Sequence, residues 1–438
     1  MPGTWRNWAG DLTAHPVRAE SPADAGEVVA AVTAAARDGL PVRMVGSGHS
    51  FTPAALTDGV LLRPNRLIGL VAVDTGAGTA TVRAGTRLSE LSDLLLAHGL
   101  ALENLGDVDV QTVAGALATG THGTGAAYGG LAAQVLGLEL VLADGTVRRC
   151  DAGTDPDLLA AATVGLGAYG IVTAVTLRCV PAFGLRAVEE PASLDALLER
   201  WDTLPGEADH VEFYWWPHTT GCHLKRNTRV PLTELDPLPR WRVVLDDELV
   251  SNTLFGAGCR VGTLVPAVVP LVNRLATRLL GRRSYADVSH RVFTSPRRVR
   301  FRETEWAVPR ATVPAVLREL DATIRRRGWR VSFPVEVRVA APDDRWLSTA
   351  YGWEAGYVAV HRYAAEPVDE LVAAVAEVVD GVTGGQGRPH WGKRHPLSAA
   401  ELAPRYPRFA DAVALRDRLD PEGRFANPYT DRVLGTAG

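Results

Sequence analysis

The sequence predicts an α+β fold in two domains, and three observations carry that expectation. Strand-like and helical runs mix through the first 180 residues. After Pro181 the texture changes, with Trp215-Trp216, many prolines and one further long helix. A chain of 438 residues, 46% apolar and 22% charged, supplies core for at least two cooperating units and is too large for a small binding module.

The elements follow in order. Residues 21–39 form the clearest helix, with Ser21 placed to cap it, Pro22 in its first turn, Val28, Val29 and Val32 as an apolar stripe and Gly39 closing it. A strand over 41–45 runs into Gly46-Ser47-Gly48-His49-Ser50-Phe51, where two glycines within three residues demand a tight turn. Strands follow at 60–63, 68–74 and 79–84, the last two joined by Thr75-Gly76-Ala77-Gly78, and then a helix at 86–97. A Gly- and Thr-rich stretch covers 115–125, a hairpin turns at Ala143-Asp144-Gly145-Thr146, a helix spans 156–164 and a strand 171–179. The first domain is therefore expected over 1–180 and the second over 181–385, with a helix at 309–327. Residues 386–438 are too few for their own core and are expected to fold back on the rest.

Composition excludes several classes. A formal charge of −4 offers no electrostatic basis for nucleic acid. Cys150, Cys179, Cys222 and Cys259 are scattered, with no CxxC and no histidine spacing for zinc, so neither a disulfide framework nor a metal site is expected. The N-terminus does not read as a secretory signal, and the apolar stretch Val261 to Val272 contains Pro266 and Pro270 and is too short to span a bilayer. The expectation is a soluble cytoplasmic protein without an integral membrane segment.

Gly165-Leu166-Gly167-Ala168-Tyr169-Gly170 spells GxGxxG, but a dinucleotide fingerprint needs a strand before the glycines and a helix after them. Here the order is reversed, and the motif reads as a helix-to-strand turn. Two other clusters, Gly46 to Phe51 and Ala118-Thr119-Gly120-Thr121-His122-Gly123-Thr124-Gly125, combine unhindered backbone amides with hydroxyls and a histidine. Alone, the first reads more readily as a solvated turn and the second as a flexible loop; two in one domain favour phosphate or pyrophosphate binding.

The ordered set Val45-Gly-Ser-Gly-His49-Ser-Phe51, Asn104-Leu-Gly106-Asp107 and Thr119 to Gly125 resembles the vanillyl-alcohol-oxidase group of FAD enzymes, in its sugar-lactone and alditol oxidase branch. The likeness continues at Pro334-Val-Glu336-Val-Arg338, Val360-His361, His390-Trp-Gly-Lys393 and Asp420 to Tyr429, nearly the whole chain. The resemblance implies an FAD-binding domain of p-cresol-methylhydroxylase type, an α+β cap over the isoalloxazine, and a C-terminal segment returning to the flavin site. It implies that His49 bonds covalently to the flavin 8α-methyl. It also implies FAD contacts from Met44, Val45, Gly46, Ser47, Gly48, Ser50, Gly106, Thr112, Gly115, Thr119, Gly120, Thr121, His122 and the backbone near Ile171.

Residue chemistry can be read beside this. Period two puts Glu336 and Arg338 on one face of a strand with three valines on the other, and aligns Tyr357, His361 and Tyr363 on a second strand. Each pattern also fits a plain half-exposed strand. Lys393 is one of only two lysines, with Lys225, in a chain that otherwise uses arginine. Lysine offers a compact charge or a neutral amine, which arginine does not. Arg297-Arg298 to Arg302 and Arg282-Arg283 read as a solvated basic face, with an anion or membrane surface as the alternative; Glu303 and Glu305 balance the former.

The implied activity is hydride transfer from a hydroxyl-bearing carbon of a sugar lactone or polyol to flavin, then electron transfer to O2 giving hydrogen peroxide. Glu336, Arg338, His361, His390 and Lys393 form the expected catalytic set, the base among them unassigned. Gly106 is expected to leave room for oxygen where lactone dehydrogenases of the family carry alanine. Asp107 and Tyr363 are expected to touch substrate; alditol oxidases carry serine and threonine there. These differences point to an L-gulono- or D-arabinono-1,4-lactone rather than xylitol or sorbitol. An alditol oxidase, a dehydrogenase with another acceptor and a silent carbohydrate-binding protein are the alternatives.

Overall fold

The computed structural model describes residues 4–243 and 252–437. Helix α1 runs from Ala25 to Arg37, and its N-cap is Asp24, accepting from the Glu27 N–H, rather than Ser21. Its buried face, Val28, Ala31, Val32 and Ala35, shares a core with Val42, Val60 and Leu62 of one sheet and Val141 and Ile171 of another. The first is a parallel three-stranded sheet with Val60–Leu62 between Arg18–Glu20 and Val42–Met44. The second is antiparallel and ordered Val147–Asp151, Val135–Val141, Ile171–Arg178, Thr79–Arg83, Leu70–Asp74.

The GxGxxG run does lie between a helix, Pro156–Ala162, and the strand Ile171–Arg178. Gly167 adopts φ +68° and even Leu166 adopts φ +55°. The strain is held by buried Arg43, whose guanidinium donates to the carbonyls of Leu166 (2.5 Å), Gly167 (3.3 Å) and Phe425 (2.6 Å).

From residue 184 onward the chain builds one antiparallel eight-stranded sheet. Its strands are β1 (Gly184–Ser193), β2 (His210–Trp215), β3 (Gly221–Val230), β4 (Arg283–Val288), β5 (Phe301–Pro309), β6 (Val335–Ala340), β7 (Ala355–Tyr363) and β8 (Arg388–Pro389), in spatial order β4-β1-β3-β2-β6-β7-β5-β8. Helices α2 (Phe255–Leu264) and α3 (Val269–Leu279) lie between β3 and β4 in sequence. Helices α4 (Val313–Arg326) and α5 (Asp369–Thr383) pack on each other and on β5 and β7.

Register assigns the two faces. Tyr214 pairs with Glu336, Glu336 with Ala359, Arg338 with Tyr357, Glu303 with His361, and Glu212 with Lys225. Residues opposite one another project from the same face, so these polar side chains form one continuous row. Val335, Val337, Val339, Val358, Val360 and Trp306 alternate onto the other face, in the main core. Unlike the half-exposed strand the pattern also allowed, β6 is buried along its whole length.

The C-terminal residues seat against the 42–56 segment. Phe51 N–H donates to the Gly392 carbonyl (2.7 Å), the Thr52 hydroxyl to that of Trp391 (3.0 Å), and the Asn427 amide to those of Pro53 (3.0 Å) and Leu56 (2.9 Å).

Candidate active site

Two cavities meet at His49. The first, about 1190 Å³ and partly open, is walled by Met44, Gly46 to Ser50, Thr112, Gly115, Thr119 and Ile171. The second, about 630 Å³, lies under the polar face of the cap sheet and is lined by Gly106, Asp107, Thr121, His122, Arg297, Glu303, Glu305, His390 and Lys393. His49, Ser50, Gln111 and Thr119 line both.

The first cavity is a backbone cradle. Among the described residues, the N–H groups of Gly46 through Ser50 donate to no protein acceptor, leaving five consecutive donors for an anionic group. Side chains are excluded: a Cβ on Gly46 would sit 2.4 Å from the Thr112 hydroxyl, and Gly48 has φ +75° with Trp5 only 3.0 Å from such a Cβ. Small residues and free amides fit a pyrophosphate-bearing cofactor. Val45 is instead core, its N–H pairing with the Leu62 carbonyl, and Gly120 lines neither cavity.

His49 stacks on Trp8 at 5.2 Å and 23°. Burial, assisted by the Lys393 charge, pushes its imidazole down to about 4, so it is neutral at physiological pH and keeps a nucleophilic lone pair.

Charge in the second cavity is organised by the cap strands. Asp107 accepts from Arg297 (2.6 Å) and faces Arg338 (3.4 Å); these cations outweigh burial and hold it ionised. Arg338 also contacts Glu336 and, at 2.8 Å, Glu212. Burial raises Glu336 to about 8 against the pull of Arg338, and the carboxylates of Asp107 and Glu212 push the same way. Lys393 pairs with Glu303 and lies 4.0 Å from Glu305, so burial fails to neutralise it and its pKa rises. Of lysine's two uses, the structure supports the charged one.

The imidazoles have assigned roles. Neutral His361 holds the Pro334 carbonyl with Nδ1 (3.2 Å), leaving Nε2 as acceptor 3.5 Å from Glu303. His390 Nδ1 accepts from the Gly392 N–H (3.0 Å), so the proton of the neutral ring sits on Nε2. His122 stacks on Tyr357 at 3.6 Å and meets Glu305 at 3.1 Å. His122, Glu305 and His390 are close enough together to hold a cation, but a protonated Nε2 on His390 and the Lys393 charge beside Glu305 oppose one.

Two sequence readings are corrected here. The stretch from Arg297 is not simply a solvated face: Arg297 grips Asp107, and Glu303 and Glu305 are buried under the second cavity. The missed signal was period two in Phe301, Glu303 and Glu305, the pattern recognised in Glu336 and Arg338. Gly106 lines the second cavity, but the position a side chain would take there is not free, since a Cβ would lie 3.0 Å from the His122 carbonyl and 3.1 Å from Thr121 Cγ2. Glu336, Arg338 and His361 stand behind the lining residues, joined to them through Asp107 and Glu303. Tyr363 ends β7 opposite Phe301 and lines neither cavity.

A backbone cradle for a nucleotide cofactor, joined at a histidine to a polar pocket under a cap sheet, defines an FAD-dependent oxidoreductase. Comparison with known proteins agrees: a family described as FAD binding domain matches residues 18–151, and one described as D-arabinono-1,4-lactone oxidase matches 175–433. The chain belongs to the D-arabinono-1,4-lactone oxidase family. It is 40% identical over 435 residues to L-gulono-1,4-lactone dehydrogenase of Mycobacterium tuberculosis, covering 99% of this chain and 100% of that one. It is 32% identical to L-gulonolactone oxidase of Bos taurus, over 98% of each chain. The fold is shared with cholesterol oxidase from B. sterolicum, at TM-score 0.81 and 19% identity over 98% of this chain and 96% of that one.

Proposed function

We propose that this protein oxidises the hydroxyl beside the carbonyl of an aldono-1,4-lactone of L-gulono or D-arabinono type, with FAD bonded covalently to His49 and O2 as terminal acceptor. The observation that carries the lactone reading is the Asp107–Arg338 pair at the second cavity, a fixed charge couple suited to a substrate with several hydroxyls and one carbonyl. FAD, when bound, supplies the two-electron acceptor that hydride transfer requires.

The amides of residues 46–50 and the Thr112 and Thr119 hydroxyls hold the cofactor, and neutral His49 supplies the nucleophilic nitrogen. Asp107, held by Arg338 behind it, orients substrate oxygens, Lys393 places a positive charge at the pocket, and His390 Nε2–H is a donor. The hydroxyl proton is relayed from the pocket to the Glu336 carboxylate or to His361 Nε2, both behind the lining residues, and Glu303 steadies the imidazolium that would form.

Oxygen uptake and peroxide release against L-gulono-1,4-lactone, D-arabinono-1,4-lactone, xylitol and sorbitol test the reading, with lactone turnover expected. Polyol preference would remove the role given to Asp107. The 40% identical relative named a dehydrogenase favours a second reading, and flavin reduction without oxygen uptake would establish it. Covalent attachment is checked separately. Acid-precipitated protein should remain yellow, and His49→Ala should release the flavin.

A further inference from the structure

Helix α3 is amphipathic in the reverse sense for a helix on a water-facing surface. Val269, Asn273 and Thr277 turn inward at intervals of four residues. Val269 and Asn273 are buried, the Asn273 amide donates to the carbonyls of Pro217 and Val331 (both 2.9 Å), and Thr277 packs against Gly221 of β3. The leucines face out: Leu271, Leu275 and Leu279 are 65%, 56% and 75% exposed.

The preceding helix repeats the inversion. Cys259 and Gly262 are its buried positions, while Val261 and Leu264 are exposed, Leu264 at 82%. Seven of the fifteen exposed large apolar side chains among the described residues fall between 254 and 279. Such a concentration is a patch rather than ordinary scatter.

Charge selects the occupant. Residues 252–282 contain Arg260, Arg274, Arg278 and Arg282 and no acidic residue, within a chain of net charge −4. Arg274 and Arg278 are exposed and follow Leu271 and Leu275 by three positions, so they flank the leucine stripe. A second copy meeting the described part of this patch face to face would set Arg274 and Arg278 against their own counterparts. Anionic headgroups neutralise the guanidinium groups while the leucines enter the boundary of the acyl chains.

We infer that α2 and α3 form a docking surface for an anionic lipid bilayer, lying in the interface plane. No helix among the described residues is long and apolar enough to cross the membrane, so the attachment is peripheral.

Sedimentation of the full-length holoenzyme with vesicles tests this, using phosphatidylcholine alone and mixed phosphatidylcholine and phosphatidylglycerol. Partition onto the mixed vesicles is expected, weakened by salt. Replacing Leu271, Leu275 and Leu279 together by serine should abolish it, and Arg274→Gln with Arg278→Gln should weaken it by about tenfold or more. Substrate oxidation in solution should be unchanged in both variants, which verifies their fold. The inference is overturned by no partition, by equal partition onto phosphatidylcholine alone, or by partition that survives the leucine changes. It is equally overturned if light scattering shows a dimer that the serine variant dissolves and vesicles are not bound.

Discussion

Glu305 on β5 accepts from His122 Nε2 at 3.1 Å, one of several buried contacts that join the glycine-rich segment of the first half to the cap sheet. His122 and Lys393 outweigh the effect of burial on Glu305 and hold it ionised. Glu305→Ala would leave those groups facing an uncompensated gap, at a cost of about 3–5 kcal/mol. A fall of several degrees in the unfolding midpoint is expected, with a smaller fall for Glu305→Gln. An unchanged midpoint in both would show that the contact carries no stability.

A raised Glu336 predicts a pH-dependent rate. With its pKa near 8, the carboxylate able to take a proton forms as pH rises through that value. The kcat/KM for lactone should therefore climb from pH 7 to 9, and Glu336→Gln should lose that limb along with about 10²–10⁴-fold of the rate. Persistence of the same limb in the variant would assign the proton to His361.

Gly106→Ala tests acceptor choice. The added methyl group must displace the His122 carbonyl or the Thr121 methyl. Turnover with O2 should fall more than turnover with an artificial acceptor, measured on one preparation; equal loss would mean that the methyl group distorts the pocket as a whole.

Acid stability follows from buried imidazoles. Burial pushes His210 down to about 4, and His390 and His395 to about 3, whereas the unfolded chain titrates them near 6.5. Below 6.5 the unfolded state therefore binds more protons, so stability is full above that pH and is lost as pH falls toward 4. Thermal scans from pH 7.5 to 4 should show a steadily decreasing midpoint, and His395→Gln should flatten it.

Much of this architecture is legible in the chain. Glycine turns and period-two strands are local signals, which is why the 46–51 turn and the shared face of Glu336 and Arg338 can be read directly. Cross-strand register is not local: nothing in Glu303 announces that His361 stands opposite. Ion pairing is nonlocal too: Arg297 is exposed, yet it grips Asp107, 190 positions away. The capping error at Ser21 has a simpler cause, since Asp24 is an equally good cap nearer the first helical turn.

Alternation in the cap sheet makes the protein more tolerant of altered residues than of altered spacing. Deleting one residue within Val335–Ala340 would exchange the positions of valines and charges downstream of the cut, sending Arg338 into the oily layer and a valine toward the pocket. Substitutions along β5, β6 and β7 can be graded in their effects, whereas a single-codon insertion or deletion there is all or none. For this enzyme the reading frame of the sheet is itself a catalytic requirement.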